Sequence, residues 1–268
     1  WRTSIAVLLE LGADVNAATA SIGTPLHAAA DSKNAESSRE LLAHGAQVNA
    51  QNKQGLTPLE LALSGCSNAD LDRMPAFVKA MLDAGASRTP GMKRSIEHAG
   101  QSFEFHREGF DPERVAAASA ALDYLYATFD VTPVPRRTMH DGSAPIAVKS
   151  TTWQKQHAEL WSLLVPSSGP AKTVQGEVIR ISGRISDEWE RNGGANWDRE
   201  YAQMASAFMG YVKRGTPLET CEVAETESIV RSFVKEGGEG NDRLAELAVA
   251  WVLKNPQPLV LEKPSYRR

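Results

Sequence analysis

Apolar residues recur at helical spacing along most of the chain, most regularly in its C-terminal half. Trp153, His157, Leu160, Trp161 and Leu164 share one face and stop at Pro166. Val174, Val178, Ile181, Ile185 and Trp189 follow at steps of four, three, four and four, which predicts a long amphipathic helix. Asn192-Gly193-Gly194 ends that helix, and Asn196 stands where the next helix needs a cap. Trp197, Tyr201, Met204, Phe208 and Tyr211 then step on again. Beyond Gly215-Thr216-Pro217 two more helices are predicted, over 219–235 and 242–254, separated by Gly237-Gly238-Glu239-Gly240-Asn241. The tail from Pro256 carries three prolines and reads as extended. Five helices with short connections predict an antiparallel bundle within 151–268.

The N-terminal third has a different rhythm: short apolar runs separated by repeated words. Thr24-Pro25-Leu26-His27-Ala28-Ala29-Ala30 returns 33 positions later as Thr57-Pro58-Leu59-Glu60-Leu61-Ala62-Leu63. Gly12-Ala13-Asp14-Val15-Asn16 returns at the same interval as Gly45-Ala46-Gln47-Val48-Asn49. Thr-Pro opens a helix, because the hydroxyl caps free N–H groups and proline has no N–H to lose in the first turn. A second helix follows in each unit, marked by Ile5 to Leu9, by Leu41 and Leu42, and by Phe77 to Leu82. Each ends at Gly-Ala, where glycine accepts the left-handed geometry.

This period and its Thr-Pro-Leu-His-x-Ala core resemble the ankyrin repeat over residues 1–89. The resemblance implies an all-α solenoid of helix-turn-helix units with β-turn fingers at 17–23 and 50–56, and a role in binding proteins rather than in catalysis. Three departures stand out. Ile22 occupies the usual glycine position, with Gly23 following. Ser37 and Ser38 replace an aliphatic pair, which predicts weak packing of that helix. The interval from Gly45 to Gly85 is 40 rather than 33, so 64–74 reads as an inserted loop, either decoration or part of the binding face. The chain also starts on a second helix without its partner, as expected of a fragment.

Between the two halves lies a region of mixed signals. Ser95 to Gln101 reads as a degenerate first helix, and Phe103-Glu104-Phe105-His106 alternates as an extended stretch would. Asp111-Pro112-Glu113 is a helix start, and 115–129 a long helix. Residues 1–130 are therefore assigned to the array, with 90–130 as its degenerate cap. Pro133, Pro135 and Pro145 make 131–150 a linker, and 151–268 is the bundle with an extended tail.

Candidate chemistry is sparse. The net charge of −4 argues against a nucleic-acid or anionic-membrane partner. Cys66 and Cys221 supply neither a disulfide framework nor a zinc pattern, which fits a cytoplasmic protein. His140-Asp141-Gly142 is turn chemistry before it is half of a metal site. His157 lies on an apolar face and off the helical side of Glu159, which predicts a buried, hydrogen-bonded histidine. Glu177, Arg180 and Arg184, with Asp187, share one helix face. They are either a speculative anion-binding face or a solvated row of ion pairs. No nucleophile motif, phosphate loop or metal motif is present. No catalytic residue, metal or cofactor is assigned.

The reading is a non-enzymatic interaction protein with a protein partner. From the family's usual contacts, the binding residues are Ala20, Ser21, Asp31 and Asn34 in one repeat and Asn52, Lys53, Gln54 and Ser64 in the next. The alternatives are a small-ligand or enzymatic domain in 151–255 with the array as its targeting arm, and a toxin-neutralising or effector-type binder.

Overall fold

The computed structural model describes residues 2–235 and 241–267. Among these, twelve α-helices account for the regular structure, apart from two short 3-10 turns and two isolated β-bridges. The chain divides into two compact units, Trp1–Arg136 and Arg137–Arg268.

The first unit opens with α1 (Arg2–Glu10) and continues as helix pairs. These are α2 (Pro25–Asp31) with α3 (Ala35–Ala43), α4 (Pro58–Ser64) with α5 (Met74–Asp83), and α6 (Pro90–His106) with α7 (Pro112–Phe129). One apolar core threads them, from Leu26 and Leu59 through Phe77 and Met81 to Phe103 and Leu125. The small Ala29, Ala30 and Ala62 are buried in it and let the helices stack closely. Leu41 is buried, whereas Leu42 and Leu82 are only partly so.

Three local expectations are revised here. Phe103 to His106 is helical rather than extended, because Phe103 continues the buried face of Ile96 and Ala99 in α6. Four alternating residues are too few to override that 3.6-residue stripe. Arg107 secures the helix end by gripping the Glu104 carboxylate at 2.6–3.1 Å and lying 4.6 Å over the Phe103 ring. Ser38 is fully buried, but its hydroxyl donates to the Asn34 carbonyl at 2.8 Å, so it strands no polar group. The insertion is part of the core: Leu71, in the 3-10 turn Leu71–Arg73, and Met74 are buried, and the turn packs on α7. Asp70 ties it down by accepting from Ser67 and Arg73.

The proline-rich segment is irregular and shared between the units. Val131 is buried in the first core, and the boundary falls after Arg136. Arg137 instead donates to the carbonyls of Trp161, Ser162 and Val165 at the C-terminal end of α8 (Trp153–Leu164), where helix carbonyls run short of backbone donors.

In the second unit α8, α10 (Arg199–Val212) and α12 (Asn241–Lys254) pack on α9 (Val174–Asn192), and α11 (Thr220–Lys235) packs on α10 and α12. Asp198, not Asn196, caps α10, accepting from the Tyr201 N–H at 3.0 Å. Asn196 turns back onto the buried Glu188 carboxylate through its backbone and side-chain N–H groups, at 2.6 and 3.2 Å. The glycines expected to separate the last two helices, Gly237, Gly238 and Gly240, lie outside the described residues. Among the described residues no helix is long and apolar enough to cross a membrane.

Candidate partner-binding face

The repeated words of the first unit build a ladder of side-chain bonds from each unit to the next. Asn16 donates to the Gly45 carbonyl at 3.1 Å and accepts from the Gln47 N–H at 2.8 Å. Asn49 repeats both bonds with Gly85 and Ser87, at the same 3.1 and 2.8 Å. The helix starts are linked likewise. His27 accepts from the Thr24 N–H on Nδ1, so its Nε2 must carry the proton it donates to the Leu56 carbonyl at 3.0 Å. Glu60 takes the place of His27 one repeat later. It accepts from the Thr57 N–H at 2.9 Å and from the Thr89 hydroxyl at 2.6 Å. These bonds, the backbone bond from Thr57 first, hold its carboxyl below the ordinary glutamate range. Gly23 adopts φ +104°, and a Cβ there would lie 2.9 Å from His27 Nδ1. The glycine after Ile22 is thus the one the finger turn requires.

Matched against known families, residues 3–87 fit the model of ankyrin repeats, in three copies. Residues 3–87 are an ankyrin-repeat array. The match stops within the loop before α6, yet Thr89 and Pro90 open α6 as Thr57 and Pro58 open α4. The ankyrin array and α6 enclose a groove of about 360 Å³. It is lined by Leu56, by Glu60 and Ser64 of α4, and by Gly91, Met92, Arg94, Ser95 and His98 of α6. Ser95 and His98 fall in the helix expected from Ser95 onward but carry no contact signal of their own, and Arg94 lies before that start. Thr89-Pro90 was the signal that places it five residues earlier.

The structure distributes the expected contact residues unevenly. Ala20, Ser21, Asp31, Lys53 and Ser64 are exposed. Asn34 is exposed too, but its side chain caps α3 by accepting from the Ser37 N–H at 2.9 Å. Asn52 braces its own finger, accepting from the Gln54 and Leu56 N–H groups at 3.0 Å and donating to the Gln54 side chain at 3.1 Å. Of this finger tip, Lys53 projects without such a bracing role.

Glu177 and Arg180 lie together on α9, but neither faces solvent: both are buried. Arg180 donates to both carboxylate oxygens at 2.6 and 2.9 Å. The Tyr266 hydroxyl donates to Oε1 at 2.5 Å and the Ala171 N–H to Oε2 at 2.9 Å. Burial alone would lower the Arg180 guanidinium, and Glu177 more than reverses this, holding it above its ordinary range. Burial, with Glu177 beside it, pushes the Tyr266 phenol up. Arg184 is half-buried. The solvated row expected here is cut short: Tyr266 of the tail reaches Glu177, and of the four residues only Asp187 is exposed, paired with Arg191.

Two further residues resolve simply. His157 contacts the Ser182 hydroxyl at 3.1 Å, and burial pushes its pKa down, partly offset by a bond to the Ile179 backbone. Asp141 accepts from the Ser143 and Ala144 N–H groups, Ser143 being the larger cause that takes its carboxyl down to about 2. That is turn chemistry. Among the described residues no group of three His, Cys, Asp or Glu could hold a metal ion.

Proposed function

We propose that this protein is a non-catalytic cytoplasmic interaction protein, whose array binds a protein partner along the finger tips and the groove beside α4 and α6. Ankyrin repeats are generally protein-interaction modules, and this array is cross-braced by asparagine and capping bonds that fix where its fingers stand. The observation that carries the reading is the exposure of Arg94 and His98 in the groove and of Lys53 at the finger tip. Residues placed on a rigid scaffold and not spent on folding are where recognition concentrates. Ser64 lines the groove, and the exposed Asp31, Ala20 and Ser21 are assigned to the same face from the positions that ankyrin repeats usually use for contacts. The net charge of −4 favours a protein over a nucleic acid. An anion-binding or enzymatic role for α9 has less support, since Glu177 and Arg180 already satisfy each other.

The test is affinity capture of partners by the full chain and by a Lys53→Ala, Arg94→Ala, His98→Ala triple variant. Each substitution should change stability by no more than about 0.5 kcal/mol, as exposed positions do, while capture falls. Undiminished capture, or loss only on changing the second unit, would show that recognition lies elsewhere.

A further inference from the structure

The tail of the second unit is held unlike a segment of core. Asn255 fixes its root, donating to the Trp251 and Thr216 carbonyls at 2.8 and 2.9 Å and accepting from the Thr216 N–H at 2.7 Å. Beyond it the chain is extended, and one buried side chain of α9 reads three of its main-chain groups. Gln175 donates to the carbonyls of Asn255 and Gln257 at 2.9 and 2.7 Å and accepts from the Leu259 N–H at 3.0 Å. The Val174 N–H donates to the Leu259 carbonyl at 2.9 Å, and Thr173 bridges Val260. Farther along, the Arg267 N–H donates to Glu200 of α10 at 2.8 Å.

Most side chains of this tail are exposed, and Pro258, Leu259, Leu261 and Pro264 are only half-buried. Val260 is 80% exposed, and Pro256, Gln257, Glu262, Lys263 and Ser265 are exposed as well. Between Pro256 and Arg267 the one buried side chain is Tyr266. Its hydroxyl reaches Glu177 and lies 3.4 Å from that of Tyr211, and the Arg180 guanidinium lies 6.0 Å from its ring centre. Main-chain bonds plus one anchored side chain are the anatomy of a peptide in a recognition groove. A core segment would instead bury alternate apolar residues.

We propose that α9 and α10 form a binding groove for an extended, proline-containing peptide bearing a tyrosine, and that residues 256–267 occupy it in cis. The ligand is a segment of a partner protein with its tyrosine seven positions beyond the residue whose N–H pairs with Gln175, as Tyr266 is beyond Leu259. Gln175 and Val174 read its backbone, while Glu177, Arg180 and Tyr211 receive the phenol. Because most of the recognition is of main chain, a partner segment with the same anchor can replace the tail. The tail's tethering, equivalent to a high local concentration, keeps the groove closed until such a competitor arrives. The groove is independent of the ankyrin surface and stands or falls separately from it.

The probe is a fluorescein-labelled synthetic peptide of residues 256–267, titrated by anisotropy against the full chain and its Tyr266→Ala variant. The variant should bind it at least about tenfold more tightly than the unmodified chain does, since the competing anchor is gone. A peptide with alanine for its tyrosine should lose at least about tenfold in affinity for the variant. Equal binding by both chains, or no loss with the altered peptide, overturns the proposal. So does collapse of the variant's tryptophan fluorescence to the unfolded signal, which would make the tail core. Hydrogen exchange on the unmodified chain decides independently of any variant. The Leu259 amide should exchange at least about 100-fold faster than that of Ile181, because the tail opens without the helices. Equal protection means that it never opens alone.

Discussion

Removing the Glu177 carboxylate, by Glu177→Ala, tests the buried pair on α9 directly. Four donors converge on that carboxylate: two from Arg180, the Tyr266 hydroxyl and the Ala171 N–H. Glu177 and Arg180 are 0% and 2% exposed, so solvent can neither screen the attraction nor rehydrate what is stranded. Breaking such a pair from one side costs about 3–5 kcal/mol, because the remaining charge stays buried without its partner. Glu177→Gln keeps one acceptor oxygen but presents an NH₂ group to donors, at about 1–3 kcal/mol for each donor left stranded. The double change Glu177→Leu with Arg180→Met should be milder than either single change, since no buried charge remains. Urea unfolding followed by tryptophan fluorescence is the suitable assay, since five of the six tryptophans lie in the second unit. A Glu177→Ala loss below about 1 kcal/mol, the size of an exposed pair, would refute the burial argument. A double variant as unstable as the single one would refute the charge argument.

Two further outcomes are expected of the array. Leu41→Ala should cost about 2–5 kcal/mol, the range for truncating a buried leucine, and Leu42→Ala distinctly less because it is only half-buried. Equal losses in far-ultraviolet circular dichroism melts would mean the two leucines are not packed as described. Glu60→Gln should cost about 0.5–2 kcal/mol at neutral pH, as loss of a helix cap does. The folded pKa of Glu60 is depressed, so its contribution is complete above the unfolded value of about 4.3 and is lost as pH falls through the lower folded value. The difference between Glu60→Gln and the unmodified protein should therefore close in acid. A gap that persists with the carboxyl protonated in both states would show that Glu60 acts through something other than its charge.

What the sequence determined by itself is whatever depends on near neighbours or on strict repetition. Thr57 and Glu60 meet within one helical turn, and Asp111 caps α7 from three residues away. Asn16 and Asn49 perform the same task one period apart, so the repeated word already announced a repeated structure. The stripes of α8 and α9 were equally legible, since a helix facing a core must place apolar side chains every three or four residues. Hydrophobic periodicity, however, reports only where apolar residues fall. It cannot tell a polar face that meets water from one covered by distant chain that satisfies its hydrogen bonds. Gln175 and Glu177 find partners 80 to 89 residues away, in a proline-rich tail whose extended course carries no helical signature. The burial of Leu71 and the path of α6 through Phe103 likewise rest on neighbours brought by the fold. Only tertiary structure decides such contacts, because their energy comes from removing water between segments that the sequence leaves far apart.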